Sequence, residues 1–354
     1  MSNMKEIARL AEVSLGTVSN VLNNSAKVRE PLRRRVLAAV DSLRYEPSQL
    51  ARGLRRDKTN MIGMIIPDIT NPFFPAVVRG AEDAAFGSGY RLVLCNADNN
   101  LTKEVSYMNQ LRTYLPTGII VIPSNFSEIT MQAGSATRGG AVVVCLDRMP
   151  RHWKGDTVTV ANDEGALNAT QHLIQLGHKR IATITGPLQL TIAHARLAGF
   201  RRALKQANIQ IPAEYVQESS FDRAGGYSAA LGLLQLKPRP TAIFAQNDMI
   251  AMGVVMAIRE LGLRCPHDVS LFGFDGLEVT ELMDPPLSSV LQPGYQLGSL
   301  GVQLLLERVS DPNRPFRHHV LPTELRLGAS IAPPPPTRQS KKKPDSAPRR
   351  KLAT

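Results

Sequence analysis

Residues 13–23 read VSLGTVSNVLN. Val18, Val21 and Leu22 recur at the spacing of one apolar helix face, which leaves Leu15, Gly16, Ser19 and Asn20 on the opposite face. That outer face is built from short or missing side chains, an odd surface for a helix that has only to stay soluble. Ser14, just ahead of it, carries the hydroxyl that can accept from an orphan N–H at a helix start. Upstream, Met4, Ile7, Ala8 and Ala11 mark an earlier short helix, and Glu12-Val13 forms the tight turn between the two. Downstream, Pro31 is a favoured first-turn residue for a third helix that buries Val36, Val40 and Leu43. Three short helices, the second entered by a tight turn, have the shape of a helix-turn-helix.

That shape explains the outer face. A helix lying in the major groove needs small side chains, so that its backbone can approach, together with donors and acceptors for base edges. Thr17, Ser19 and Asn20 supply the polar groups, and Leu15 suits a thymine methyl. Arg29, Arg33, Arg34 and Arg35, at the start of the third helix, can hold phosphates without reading sequence. The helices alone fit a small bundle with a polar surface equally well.

Charge separates these readings. The formal net charge is +12 over 354 residues. Residues 1–58 hold 12 Lys/Arg against 6 Asp/Glu, residues 332–354 hold 7 against 1, and the stretch between holds 23 of each. A basic module on a neutral body points to a polyanion, of which nucleic acid is the usual one. No apolar run approaches the ~20 residues of a membrane helix. The N-terminus does not read as a signal peptide. Cys95, Cys145 and Cys265 are far apart without a CxxC partner, so they read as reduced core thiols and not as a metal site. A cytoplasmic protein is expected.

From residue 61 onward, short β-branched runs alternate with helical patterns: MIGMII, RLVLC, GIIVI, VVVCL, IATIT, TAIFA and VSLFGF. This spacing means parallel sheets covered on both faces, whose ligands sit beyond the carboxyl ends of the strands. Those ends are followed by Asn71-Pro72-Phe73-Phe74, Pro123-Ser124, Asp147-Arg148, Gly186-Pro187, Gln246-Asn247-Asp248 and Asp275. Aromatic rings beside carboxylates, an arginine and an amide suit a small polar molecule with an apolar face, such as a sugar or a nucleobase. GxSxG, P-loop, GxGxxG and HExxH motifs are all missing, so neither catalysis nor a cofactor is expected.

The chain resembles the LacI/GalR family of bacterial transcription repressors. The resemblance is carried, in unbroken order from about residue 3 to 331, by KEIARLAEVSLGTVSNVLN, VLAAVDSLRYEPSQLARGLR, IGMIIPDITNPFF, DRMP, GHKRIATITGP, RLAGFRRAL, NDMIAMG, GFDGLE and PPLSSV. It implies an α/β chain in four parts: an all-α helix-turn-helix domain at 1–46, a hinge helix and linker at 47–58, a two-lobed body at 59–331, and a disordered basic tail at 332–354. The lobes would be doubly wound parallel sheets of periplasmic-binding-protein type, one from about 61–160 and 292–321, the other from 163–289 and 323–331. DNA contacts would come from Ser14, Leu15, Gly16, Thr17, Ser19, Asn20, Asn23, Arg52 and Leu54.

In the family, the segment corresponding to 48–56 folds on operator DNA and wedges a leucine, here Leu54, into a central minor-groove step. Gly53 stands where serine is more usual, at a cost of up to ~1 kcal/mol in a helix. Glu12 stands where glycine is common in the turn and is strained if its φ is positive.

Carried over by position, the effector contacts are Phe73, Phe74, Asp147, Arg196, Phe221, Asn247, Asp275 and Gln292. The purine-binding branch has an arginine and a threonine where this chain has Leu190 and Ile192, which favours a sugar or sugar derivative. The tail has one leucine, Leu352, in place of the tetramerising leucine heptads, so a homodimer on a pseudo-palindromic operator is expected. The alternatives are a cytoplasmic solute-binding protein without specific DNA function, and an architectural DNA binder with vestigial lobes.

Overall fold

The computed structural model describes residues 4–22, 28–44, 60–114, 117–124, 141–150 and 153–336. Asn23, Arg52, Leu54 and the hinge segment lie outside the described residues, as does the tail from 337 on.

The N-terminal module is three helices, α1 (Met4–Leu10), α2 (Leu15–Leu22) and α3 (Glu30–Ser42). They share one core of Ile7, Ala8, Ala11, Val18, Val21, Val36 and Ala39, with Met4, Leu22, Val40 and Leu43 half-buried at its rim. Glu12 has φ 50°, in the left-handed region that glycine occupies more easily. The turn is held by Arg35, which donates to the carbonyl oxygens of Ala11 at 2.6 Å and Glu12 at 3.2 Å. This arginine therefore caps α1, a structural duty in addition to its expected place among the phosphate contacts.

The body is two six-stranded sheets. The first has strand order β11-β5-β4-β3-β1-β2 and is parallel throughout. Its strands are β1 (Met61–Ile66), β2 (Arg91–Asn96), β3 (Gly118–Val121), β4 (Val142–Leu146), β5 (Thr157–Val160) and β11 (His318–Leu321). Helices α4 (Phe73–Gly87) and α10 (Gly294–Ser310) cover one face, and α5 (Leu101–Tyr114) packs on the other. α4 and α10 meet at glycines: a Cβ on Gly80 would lie 1.9 Å from the Tyr295 carbonyl oxygen, and one on Gly298 as close to that of Val77. Any side chain there would drive the helices apart.

The second sheet has order β12-β10-β9-β8-β6-β7, with only β12 antiparallel to its neighbour. It comprises β6 (Ile181–Thr185), β7 (Val216–Glu218), β8 (Ala242–Ala245), β9 (Ser270–Asp275), β10 (Ser288–Leu291) and β12 (Glu324–Arg326). Helices α6 (Asn162–Gln175) and α7 (Thr191–Gln206) lie on one face, α8 (Arg223–Gln235) and α9 (Asp248–Glu260) on the other.

The chain crosses between the sheets three times: at Ala161, at Gln292-Pro293 and at Pro322-Thr323. The start of the basic tail is bonded into the second lobe. His178, whose basicity burial lowers, bridges the Thr241 hydroxyl at 2.9 Å and the Ala332 carbonyl at 2.8 Å, and Ala332 N donates to Ser270. Order therefore persists past 331, where a disordered segment was expected to begin.

Candidate functional site: an effector cleft and a DNA-reading helix

Both sheets point the carboxyl ends of their strands at one cleft, and the polar residues there are placed by backbone register. β10 runs parallel to β9 with Leu291 opposite Asp275, so Gln292 emerges beside Asp275. Asp147 follows β4 and Asn247 follows β8, while Phe73 and Phe74 open α4 just beyond β1. Phe73, Phe74, Asp147, Arg196, Phe221, Asn247, Asp275 and Gln292 all line a single cavity, together with Asn71, Arg148 and Ile192. The open volume among them is about 20 Å³, room for one water-sized body. A wider chamber of about 300 Å³ adjoins it and shares Asn71, Phe74, Arg148 and Phe221 with it.

Arg196 is the organiser. It is 2 % exposed, and its Nε donates to Asn162 Oδ1 at 2.7 Å while Nη1 donates to the Gln246 carbonyl. Nη1 also lies 3.7 Å from Asp275 Oδ1. The guanidinium stacks 3.7 Å above the Phe274 ring and 5.9 Å from Phe221. Asp275 in turn accepts from Gln292 Nε2 at 2.6 Å. Burial pushes the Asp275 carboxyl up to about 8, against the opposing pull of Arg196. Burial also raises Asp147 and pulls both Arg148 and Arg196 below their ordinary range. Asp147 and Asp275 both have positive φ, 58° and 116°, so the two carboxylates are held by backbone that few L-residues adopt.

Two candidates carry structural duties as well. Asn247 caps α9 by accepting from Ile250 N at 2.7 Å, and its Nδ2 donates to the Phe221 carbonyl at 3.2 Å. Its amide thus holds the Phe221 loop and forms the cavity wall at once. Phe221 itself sits over Gly186, where a Cβ would meet the ring at 2.1 Å. Leu190 and Ile192 are buried beside Phe221, which makes this wall apolar. Asn71 and Arg148 were not singled out as contacts from sequence, although both sit in the strand-end segments read there.

In the N-terminal module, Ser14 Oγ accepts from Thr17 N at 3.1 Å, which starts α2. Leu15, Gly16 and Asn20 are exposed, whereas Thr17 and Ser19 are half-buried. The atom nearest to a Cβ built on Gly16 is Ser14 Oγ, at 3.7 Å, so the module itself does not require glycine there.

The family model described as bacterial regulatory proteins, lacI family, matches residues 3–48, and that of a periplasmic binding protein-like domain matches 170–331. The HTH-type transcriptional repressor PurR of Photobacterium profundum is 34% identical over 331 residues, 94% of this chain and 99% of that protein. The ribose operon repressor of Escherichia coli (strain K12) is 38% identical over 313 residues, 88% of this chain and 94% of that protein. Among solved structures, the lac repressor dimer bound to operator and the anti-inducer ONPF superposes with TM-score 0.82 at 25% identity, over 94% of this chain and 99% of that one.

Proposed function

The chain belongs to the LacI family of bacterial transcription regulators, with a DNA-binding helix-turn-helix and an effector-binding body, and on that premise we propose that it is a homodimeric repressor acting in the cytoplasm under control of a sugar or sugar derivative. Its curated relatives are transcriptional repressors, not enzymes. α2 reads each half of a pseudo-palindromic operator through Ser14, Leu15, Gly16, Thr17, Ser19, Asn20 and Asn23, while Arg52 and Leu54 act at the operator centre. An exposed glycine that the module does not need supports close approach of α2 to the groove.

The single observation carrying the effector reading is the convergence of Arg196, Asp275, Asp147 and three phenylalanines from both lobes on one cavity. Arg196 and the buried carboxyl groups fix the orientation of hydroxyls and the rings cover an apolar face, a lining suited to a sugar. The apolar wall at Leu190 and Ile192 and the name of the ribose operon repressor both lean the same way. A second copy has an apolar surface to cover in the second lobe: Leu282 is 86 % exposed, and Val279 and Met256 are each 46 % exposed.

Control follows from linkage. Arg196 is bonded to Asn162 beside the first crossover, and Asp275 to Gln292 on the second. A ligand held by these charges therefore favours one lobe geometry over another, and with it one spacing of the two hinge segments. The test is recovery of genomic fragments bound by the purified protein at a salt concentration that suppresses phosphate-only binding. A few enriched, two-fold symmetric sites are expected; a featureless spread, unchanged on adding carbohydrate, counts against a specific repressor.

A further inference from the structure

Because both sheets aim the carboxyl ends of their strands at the cleft, their amino ends face away from each other, at the two poles of the body. The chain enters from the N-terminal module at Met61, the first residue of β1, and so at the pole of the first lobe. It leaves at the opposite pole. Ala332 N donates to Ser270, the first residue of β9, and the Ala332 carbonyl meets His178, just ahead of β6.

That second pole is basic. The loops leading into the neighbouring strands β6 and β8 carry Lys179, Arg180, Lys237 and Arg239, all exposed, and no carboxylate. Arg180 Nε donates to the Arg239 carbonyl at 2.9 Å, which holds the two loops side by side. The acidic residues of this end lie ahead of other strands: Glu214 before β7, Asp284 before β10, and Asp268 before β9, where Arg264 pairs with it at 3.4 Å. From the same face the chain continues into residues 337–354, with 7 Lys/Arg against 1 Asp.

Cations gathered without carboxylates repel one another and raise the local concentration of a counter-charged partner. Their spread over two loops and a long following segment suits a polymer of anions, since a single phosphate meets one or two of them at a time. Duplex DNA is such a polymer, and lysines and arginines that displace its condensed counterions gain affinity without reading sequence. A repressor seated on its operator is surrounded by it at high effective concentration.

We propose that this face of the second lobe, Lys179, Arg180, Lys237 and Arg239 with the basic segment beyond Pro336, is a second, sequence-independent site for duplex DNA. A molecule held on its operator by α2 presents the face at its far pole to a different duplex and bridges the two. This rests on the repressor reading for the first duplex only.

The test loads the full chain on a bead-held operator fragment and offers a labelled duplex that lacks the operator, with an RNA duplex and polyglutamate as competitors. The second duplex should be captured, and replacing all four loop cations by Ala should weaken capture roughly tenfold or more while operator affinity stays within about twofold. Truncation after Pro336 should weaken capture as well. With each cation lost from a phosphate, the slope of log affinity against log salt should become shallower by about 0.9. No capture with the operator held, capture unchanged by both variants, operator binding lost in step with capture, or stronger competition by RNA or polyglutamate than by DNA overturns the second site and leaves the repressor reading standing. Failure to hold any operator fragment overturns both.

Discussion

Gln292 lies on the second crossover between the lobes, and its Nε2 donates to Asp275 Oδ1 at 2.6 Å. One hydrogen bond thus joins a crossover between the lobes to a carboxyl that lines the cleft. On the proposed reading, ligand contact and lobe geometry are coupled at this pair.

Replacing Asp275 by Ala should therefore uncouple the two activities. Effector affinity should fall about 10-fold, the worth of a lost hydrogen bond to a buried carboxyl, while operator binding without ligand persists. Fluorescence anisotropy on an operator fragment, with and without effector, measures both. Equal loss of both would make Asp275 a folding residue.

The pH dependence of stability follows from burial. Asp275 is pushed up to about 8 and Asp248 to about 6, burial being the main cause in each. In the window between ~4, where the unfolded chain releases these protons, and the folded values, the folded chain holds protons that the unfolded chain has lost. The contribution of each group is fully present below that window and is lost as pH rises through the folded value. The melting temperature of the native chain, measured relative to Asp275→Asn, should fall between pH 5 and pH 9. A difference that stays flat or rises across that range removes the assignment.

In the turn between α1 and α2, Glu12→Gly relieves a positive φ and sacrifices only an ion pair that is exposed on the Glu12 side. It should stabilise the N-terminal module by up to about 1 kcal/mol, net of glycine's unfolded-state entropy. Arg35→Ala leaves two carbonyls uncapped, one part-buried and one exposed, and should cost about 0.5–1.5 kcal/mol. Amide exchange in α1–α3 checks both. If Arg35 acted chiefly on phosphates, its loss would instead weaken DNA binding and leave that protection unchanged.

Gly186→Ala forces the Phe221 ring out of its seat, because the added carbon would lie 2.1 Å from it. Effector affinity should drop by tenfold or more, roughly the cost of an overpacked contact, with DNA binding intact. A crystal structure of the variant showing Phe221 unmoved would sink this account.

The sequence made legible whatever follows from strand-end chemistry and helix periodicity. The seven apolar runs are all strands, and the eight strand-end and helix residues assigned to an effector line one cavity. Missed were β5, β7, β10, β11 and β12, which are three or four residues each. SSVL and TVTV give no run long enough to register, and HHVL and ELR are edge strands stabilised by pairing rather than by their own apolar content. The bond of Arg35 to the end of α1 was hidden because an arginine near a DNA-facing surface looks the same in sequence whether it reaches outward to phosphate or back to a helix end. The second duty of Asn247 was hidden similarly, since a strand-end amide and a helix cap share one position here.

The three crossings also order events during synthesis. The first lobe is finished only by α10 and β11, which lie beyond residue 293, after nearly all of the second lobe has been made. The nascent first sheet must wait on the ribosome with its β5 edge unpaired and the face that α10 covers exposed. A domain folding as a unit from its N-terminal side cannot mature here until almost the whole chain has emerged. Pausing or truncation anywhere in the second lobe would then leave the first lobe sticky as well, so the two lobes should share one fate in the cell.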